Sequence, residues 1–329
     1  MSIGHFARGL LTTALALLVT LAAAPVPARA QNDYPNRPIH MIVGFAAGGG
    51  NDIFARLIGA KLSDLLGQPV VIENKPAAGG RLAAEYASQQ AADGYTLLIG
   101  ASGMMSIAPA IYPELKYHPT KSFVPLSMIA SFPLIMVVAA DNPATNVKEF
   151  VEWAKQHPDK ANYGSSSPAF TIATELLKLK SGMPGVMIPY KGTNEMVLAV
   201  IEGQTMISIA DGPPTVPQVR AGKVKALAVT GAERSPQLPD TPSMAEAGFP
   251  GVDIHLWSGV FTRTGTPAPV VAKLENALSE AIRDPGVSDK LKAMAVDPGG
   301  GSPDEFKRLI DSDIIKYSDV VKAANLHFE

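Results

Sequence analysis

Two loops rich in small residues each lead from a short apolar run into a segment with helical periodicity. The first is AAGGGND (46–52), which follows IHMIVGF, and the second is SSSPAF (165–170), which follows ANYG. Small residues let backbone N–H groups approach a ligand closely, and the first amides and the dipole of a helix favour an anion. Two such loops facing one cleft would hold a carboxylate without an arginine.

The glycine spacing in the first loop argues against nucleotide binding. A dinucleotide fingerprint needs Gly-x-Gly-x-x-Gly, but the sixth position counted from Gly48 is Ile53, and the third counted from Gly44 is Ala46. A P-loop needs Gly-Lys-Ser/Thr, and this loop has no lysine. A tight turn that only caps a helix remains the alternative to an anion site.

A serine nucleophile is the alternative to simple binding. Gly100-Ala101-Ser102-Gly103-Met104 follows an apolar run and resembles a nucleophile elbow, but its fifth residue is Met104 where glycine is needed. The histidines are scattered, and neither His-Glu-x-x-His nor His-x-His spacing indicates a base or a metal site. We therefore expect no catalytic residue and no metal ligand, with a secreted hydrolase dependent on Ser102 kept as the alternative.

The composition narrows the class of protein. The chain has 329 residues and no cysteine, which excludes a disulfide framework, a cysteine-ligated metal site and a thiol nucleophile. Its formal net charge is −2, with no basic excess that would attract nucleic acid. With 47% hydrophobic residues the chain can bury a large core, and its length suggests roughly two domains.

The first thirty residues have the features of an export signal. Arg8 precedes an apolar run over residues 10–24, and Ala28-Arg29-Ala30 matches a signal-peptidase site. A membrane anchor is the alternative, but a run of about 15 apolar residues is shorter than a spanning helix needs, and prolines follow at once. The sequence predicts cleavage after Ala30 and a periplasmic protein.

The rest of the chain alternates between strand-like and helix-like segments, which predicts an α/β fold. Predicted strands are 39–45, 70–74, 95–100, 134–139, 206–210 and 224–230. Helical periodicity predicts a helix over about 269–283, ended by Asp284-Pro285-Gly286. A last helix is predicted over about 303–324, with Ser302 as N-cap and Glu305 in a capping box.

Many segments, in order, resemble the Bug (TctC-type) family of extracytoplasmic substrate-binding proteins of tripartite tricarboxylate transporters. They include PNRPIHMIVGFAAGGGND, DGYTLLIGASG, IAPAIYPELKYHP, IPYKGTNEMVLAVIEGQ, GKVKALAVTGAERSPQLPDTPSMAEAGFPG and GTPAPVVAKLENAL. The resemblance extends over about 34–326.

This resemblance implies a periplasmic binding protein-like fold, with two α/β domains and a ligand cleft between them. It places 31–130 together with 253–329 in domain 1 and 131–252 in domain 2, joined by crossover strands that close like a hinge. It implies a small-molecule carboxylate as ligand and the two membrane subunits of the transporter as partners. No cofactor, no nucleic acid and no covalent chemistry are expected, and the protein is expected to be a monomer.

Carried over by position, the family's binding loops fall on five segments of this chain. Asp52 is expected chiefly to cap its helix, bonding helix amides. Lys191 is left open between a counter-charge and a solvated side chain. The candidate ligand-binding residues are Phe45, Ala47, Gly48, Gly49, Asn51, Ser102, Gly103, Met104, Ser165, Ser166, Ala169, Phe170, Thr171, Tyr190, Thr193 and Asp211.

The chain departs from the usual family pattern at positions that bear on ligand choice. Met104 and Met105 follow the Ser-Gly loop, and Pro168-Ala169-Phe170 continues the serine loop, where polar residues are common in the family. Apolar, polarisable side chains there suit a flat ring or a methylene chain, unless they pack inward as core. The favoured ligand is an aromatic dicarboxylate such as terephthalate, with a linear dicarboxylate next and a tricarboxylate last. A sensory role in place of transport also remains open.

Overall fold

The computed structural model describes residues 34–231 and 233–323. The chain divides into two compact units, Met1–Asn36 and Arg37–Glu329. Of the first unit only residues 34–36 are described, and they form a bend. The predicted signal peptide and its cleavage site lie outside the described residues. All elements below belong to the second unit.

The strands alternate with helices along the chain, as the sequence predicts. In order, the strands are β1 (Ile39–Val43), β2 (Val70–Asn74), β3 (Thr96–Ala101), β4 (Phe123–Pro133), β5 (Ile135–Ala139), β6 (Asn162–Ser165), β7 (Val186–Pro189), β8 (Ile207–Ala210), β9 (Val224–Val229), β10 (His255–Arg263) and β11 (Asp297–Gly300).

The helices lie mostly between successive strands. In order, they are α1 (Gly50–Leu66), α2 (Arg81–Ser88), α3 (Ala108–Ile111), α4 (Val147–Gln156), α5 (Pro168–Ser181), α6 (Thr193–Ile201), α7 (Gly212–Arg220), α8 (Ala268–Arg283), α9 (Pro285–Ala293) and α10 (Pro303–Ala323). A 3₁₀ turn at Ala78–Gly80 precedes α2, and a π-helical turn at Gly103–Ile107 leads into α3.

The strands form two sheets, which define two lobes. Within the described residues the first lobe has the strand order β11-β4-β10-β3-β1-β2, and the second has the order β7-β6-β8-β5-β9. In the first lobe β1 pairs in parallel with β2 and β3, while β10 returns antiparallel between β3 and β4. The chain crosses between the lobes from β4 to β5 and again from β9 to β10.

Thr230 joins the two crossovers. Two hydrogen bonds, both 2.9 Å long, join Thr230 to Leu134. The Thr230 amide donates to the Leu134 carbonyl, and the Leu134 amide donates to Thr230 Oγ1. Thr230 Oγ1 in turn donates to the carbonyl of Ile254, just before β10. One buried hydroxyl therefore ties both crossover segments together.

The predicted elements match the observed ones closely at most ends. β1 stops at Val43, before the predicted end, and a Cβ on the following Gly44 would stand 2.6 Å from the Gly80 Cα. The capping box of α10 is confirmed: the Glu305 amide donates to Ser302 Oγ at 3.2 Å, and the Ser302 amide donates to Glu305 Oε2 at 2.7 Å.

Candidate functional site

The loop after β1 leads into the start of α1, whose N-cap has no side chain. Gly48 has a φ of +81°, which glycine adopts without strain, and the N-cap residue is Gly49. The first-turn N–H groups of α1 therefore have no side-chain cap and remain available as donors.

Asp52 holds this loop in place instead of capping the helix. Its Oδ2 accepts hydrogen bonds from the Gly48 amide and from Arg56 Nε, and its Oδ1 accepts one from Asn74 Nδ2, each at 2.9 Å. Burial raises the pKa of Asp52, but these bonds outweigh burial and bring the pKa below its ordinary value. The expectation that Asp52 bonds amides of its own helix is wrong, because the amide it bonds lies in the preceding loop.

Ser102 follows β3 and is buried beneath β10. Its Oγ accepts a hydrogen bond from the Trp257 amide at 3.3 Å. Among the described residues, no hydrogen bond joins Ser102 to a histidine side chain. Met104 and Met105 are fully buried, and the Met104 carbonyl accepts a 2.6 Å bond from the Tyr117 hydroxyl.

In the second lobe, the serine loop organises the start of α5. Ser165 Oγ donates to the Ser167 carbonyl at 2.9 Å and lies 2.8 Å from Thr171 Oγ1. The N-cap residue, Ser167, makes no capping bond with its own side chain. The buried Ser166 hydroxyl has no partner among the described residues.

The starts of α6 and α7 complete the second lobe's side of the site. Gly192 is the N-cap of α6, and Asp211 is the N-cap of α7, and neither caps its helix with a side chain. The side chain of Thr193 hydrogen-bonds to the Asp211 carboxyl group. Four helix N-termini around the cleft thus lack side-chain caps, whereas α4 and α9 are capped by Asn146 and Asp284.

The two lobes meet at these loops. A Cβ on Gly103 would stand 3.5 Å from Ala169 Cβ, and a Cβ on Gly49 would stand 3.8 Å from the Thr193 amide nitrogen. A Cβ on Gly50 would stand only 2.2 Å from Asp211 Oδ2. Between the lobes lies a small cavity of about 20 Å³, which is room for about one water molecule.

The cavity wall joins residues from both lobes. Seven of the sixteen candidate residues lie in it: Phe45, Asn51, Ser102, Gly103, Ala169, Phe170 and Asp211. The others do not line it: Ala47, Gly48, Gly49, Met104, Ser165, Ser166, Thr171, Tyr190 and Thr193. Met104 therefore packs as core in this arrangement.

The sequence analysis missed five lining residues: Ala101, Phe132, Ser167, Leu256 and Trp257. Ala101 and Ser167 lie within loops that had been singled out. Trp257 comes from β10, 155 positions beyond Ser102, so only the strand pairing brings it to the site. Its indole Nε1 donates to Asp313 Oδ2 at 2.7 Å, which fixes the ring from the side of α10.

The wall combines apolar rings with neutral polar groups. Phe45, Phe132, Phe170 and Trp257 supply the rings, and among the described residues no lysine or arginine lines the cavity. Asp211 is the one ionisable group in this wall, and burial raises its pKa to about 7, against the opposing effect of the Thr193 hydrogen bond. An anion here would meet helix N-termini and hydroxyls instead of a basic side chain.

Two α/β lobes with a closed cleft of this kind define a periplasmic binding protein-like fold, and comparison with known proteins agrees. The structure is similar to that titled "R. palustris Rpa4515 with adipate", with a TM-score of 0.86 and 34% identity, covering 90% of this chain and 99% of that one. It is also similar to MatC from Rhodopseudomonas palustris with bound malate, with a TM-score of 0.84 and 34% identity, covering 88% and 100%.

Sequence comparison gives the family. BugT from Bordetella pertussis is 32% identical over 303 residues, which is 91% of this chain and 92% of that protein. The family TctC, described as tripartite tricarboxylate transporter family receptor, matches residues 54–326. The chain belongs to this TctC family, and it is a solute-binding receptor of the TctC/Bug type. The family is one of periplasmic substrate-binding proteins, not of enzymes.

Within residues 34–231 and 233–323, no helix has the length and apolar character to cross a membrane. No cluster of three or more histidine, aspartate or glutamate side chains there could hold a metal ion.

Proposed function

We propose that this receptor captures a small dicarboxylate in the cleft between its lobes and delivers it to the membrane subunits of a tripartite tricarboxylate transporter. One observation carries the proposal: uncapped helix N-termini from both lobes surround a cavity without a basic side chain. Amides and hydroxyls suffice for a carboxylate that is shielded from water, because the helix starts carry partial positive charge.

The lobes must separate to admit such a ligand. A cavity of about 20 Å³ holds roughly one water molecule, far less than a dicarboxylate needs. We propose that 31–130 with 253–329 move against 131–252, with the chain bending at the two crossovers. A ligand that touches both lobes then stabilises a closed form with a wider cavity than the present one, because only a closed form satisfies both of its ends.

The rings in the wall favour a flat or extended apolar ligand body. Phe45 and Phe132 come from the first lobe and Phe170 from the second, so a ring or methylene chain between them would be covered on both sides. An aromatic dicarboxylate such as terephthalate is our first choice. A linear dicarboxylate is second, in keeping with the adipate named for R. palustris Rpa4515.

The mature receptor would begin after Ala30 and act in the periplasm as a monomer. A thermal-shift screen with terephthalate, adipate, malate and citrate, followed by calorimetry, tests the binding proposal. We expect saturable binding of at least one dicarboxylate, with recovery of unchanged ligand and a smaller radius of gyration in solution scattering. If no carboxylate raised the melting temperature at any pH tested, the proposed function would be wrong.

A further inference from the structure

Asp211 has an unpartnered carboxyl oxygen and belongs to the cavity wall. The residue lies between β8 and α7, is 1% exposed and is part of the cavity wall. Its Oδ2 lies against the backbone of Gly50 at the start of α1, and the Thr193 side chain hydrogen-bonds the carboxyl group. Its Oδ1 is buried and has no hydrogen-bond partner among the described residues. A buried carboxyl oxygen without a hydrogen-bond partner costs free energy, unless a ligand or water supplies the missing hydrogen bond.

Among the described residues, no cationic side chain influences the pKa of this carboxyl group. Burial is the main influence on its pKa, and the other influences are hydrogen bonds from Thr193 and from its own backbone, with no charged side chain among them. Charged groups on the surrounding elements are engaged elsewhere or stand outside the cavity wall. On α1, Asp52 is paired with Arg56, and on α10, Asp313 accepts from Trp257. Other charged or titratable groups on these elements include Lys191 before α6, Glu195 on α6, Arg220 at the end of α7, His255 on β10, Lys292 on α9 and Asp297 on β11.

We infer that Asp211 is protonated when a dicarboxylate occupies the cavity and that it donates this proton, through Oδ1, in a hydrogen bond to a ligand carboxylate oxygen. Capture of the ligand would then take up a proton from solution. The inference rests on the proposed function and identifies one residue that would make binding depend on pH. The step breaks no carbon bond: a solvent proton is transferred to Oδ1 and stays there while the ligand is bound.

Charge arithmetic favours this state over an ionised Asp211. Two ligand carboxylates and an ionised Asp211 would place three negative charges in a closed space without a basic side chain. A neighbouring anion raises the pKa of a carboxyl group, and burial already holds that of Asp211 at about 7. A protonated carboxyl group bonded to a carboxylate is instead a strong, charge-assisted hydrogen bond.

Calorimetry of the full mature chain with terephthalate and adipate, in pairs of buffers with different ionisation enthalpies, tests this inference. At about pH 8 we expect uptake of nearly one proton per ligand, and affinity that falls about tenfold per pH unit in this range. Asp211→Asn, which keeps the shape and cannot ionise, should bind without proton uptake and with an affinity independent of pH. The exposed Asp159→Asn should keep the uptake.

Each result separates the two proposals. Binding of a carboxylate by the wild-type chain with no proton uptake at about pH 8 would overturn the role of Asp211 and leave the proposed function intact. Absence of binding at every pH would remove the proposed function itself. Uptake that persists in Asp211→Asn would assign the proton to another group.

Infrared difference spectra of the wild-type chain provide a second measurement, in case Asp211→Asn does not fold. Binding at about pH 8 should increase the carbonyl band of a protonated carboxyl group. A proton taken up by an imidazole such as His255 would leave that band unchanged, and that result would overturn the inference.

Discussion

The Asp211 carboxyl group and the Gly50 backbone are in such close contact that a Cβ on Gly50 would stand 2.2 Å from Asp211 Oδ2. Gly50 begins α1 in the first lobe, and Asp211 precedes α7 in the second. Real Cβ atoms do not come this close to an oxygen, so the approach of the lobes at this point requires a glycine. Glycine is needed at position 50 because it has no side chain, and not because the backbone there adopts a turn conformation.

Gly50→Ala should therefore weaken ligand binding by preventing full closure. The added methyl group must displace a buried, short side chain, so we expect a loss of affinity of about tenfold or more, corresponding to ~1.4 kcal/mol. Titration followed by the fluorescence of Trp257, in a Trp153→Phe background, measures it. Gly49→Ala is the matched comparison, because a Cβ there has its nearest contact at 3.5 Å and should cost less. Equal losses would contradict the steric explanation.

Phe170→Ala should distinguish a ring from a chain as ligand body. Phe170 is buried in the cavity wall at the start of α5. Its replacement by alanine removes the aromatic ring that the second lobe contributes to this wall. We expect terephthalate to lose roughly 1 kcal/mol more binding free energy than adipate, as aromatic pairs contribute beyond buried area. Calorimetry with both ligands on both proteins gives this difference. Equal losses would indicate that Phe170 only supports the core.

Asp211→Asn should change how stability depends on pH. In the folded chain the pKa of Asp211 is raised to about 7 from an ordinary 3.8. The ionised form is thus disfavoured in the folded state, and the wild-type chain loses stability as pH rises through the interval between these values. The variant cannot ionise at this position and lacks this loss. Its free energy of unfolding should therefore increase relative to that of the wild type as the pH rises through this interval, by at most about 4 kcal/mol. Urea titrations at several pH values measure it, and parallel curves would contradict it.

Thr230→Val should weaken the junction between the lobes. The valine keeps the shape but leaves the Leu134 amide and the Ile254 carbonyl without their shared hydroxyl partner. Unpartnered buried groups cost about 1–3 kcal/mol each, so we expect a clear loss in the free energy of unfolding. Thr230→Ser is the control, since it retains the hydroxyl and should remain closer to the wild type. Denaturant unfolding of the three proteins tests the difference.

The sequence predicted most of the sheet strands because their cores are β-branched and apolar, as in β1 and β2. It did not predict β4, β7, β10 or β11, and the β11 residues Asp297-Pro298-Gly299-Gly300 have no strand propensity. Gly299 is needed there because a Cβ would stand 2.2 Å from the Met128 carbonyl oxygen of β4. This requirement for glycine arises because two segments that are distant in the sequence approach each other. The local sequence pattern does not predict such an approach.

The same limit applies to the site. Loops at the ends of β1, β3 and β6 were recognisable from their small residues, and the structure brings residues from them into one cavity wall. Phe132, Leu256 and Trp257 come from the interior or flank of strands, where an aromatic or aliphatic residue predicts only core. Their side chains face the cavity because β4 and β10 pair beside β3, which is a property of the topology.

The approach of Gly103 to Ala169 has a consequence for chemical control of this protein. A Cβ on Gly103 would stand 3.5 Å from that of Ala169, which is within the span that a disulfide bridges, and the natural chain contributes no thiol of its own. A cysteine pair at these two positions would therefore react only with itself, and oxidation would tie one lobe to the other across the cleft. Oxidation would hold the lobes at this separation, where the cavity has room for about one water molecule, so the locked protein should exclude a dicarboxylate until a reductant was added.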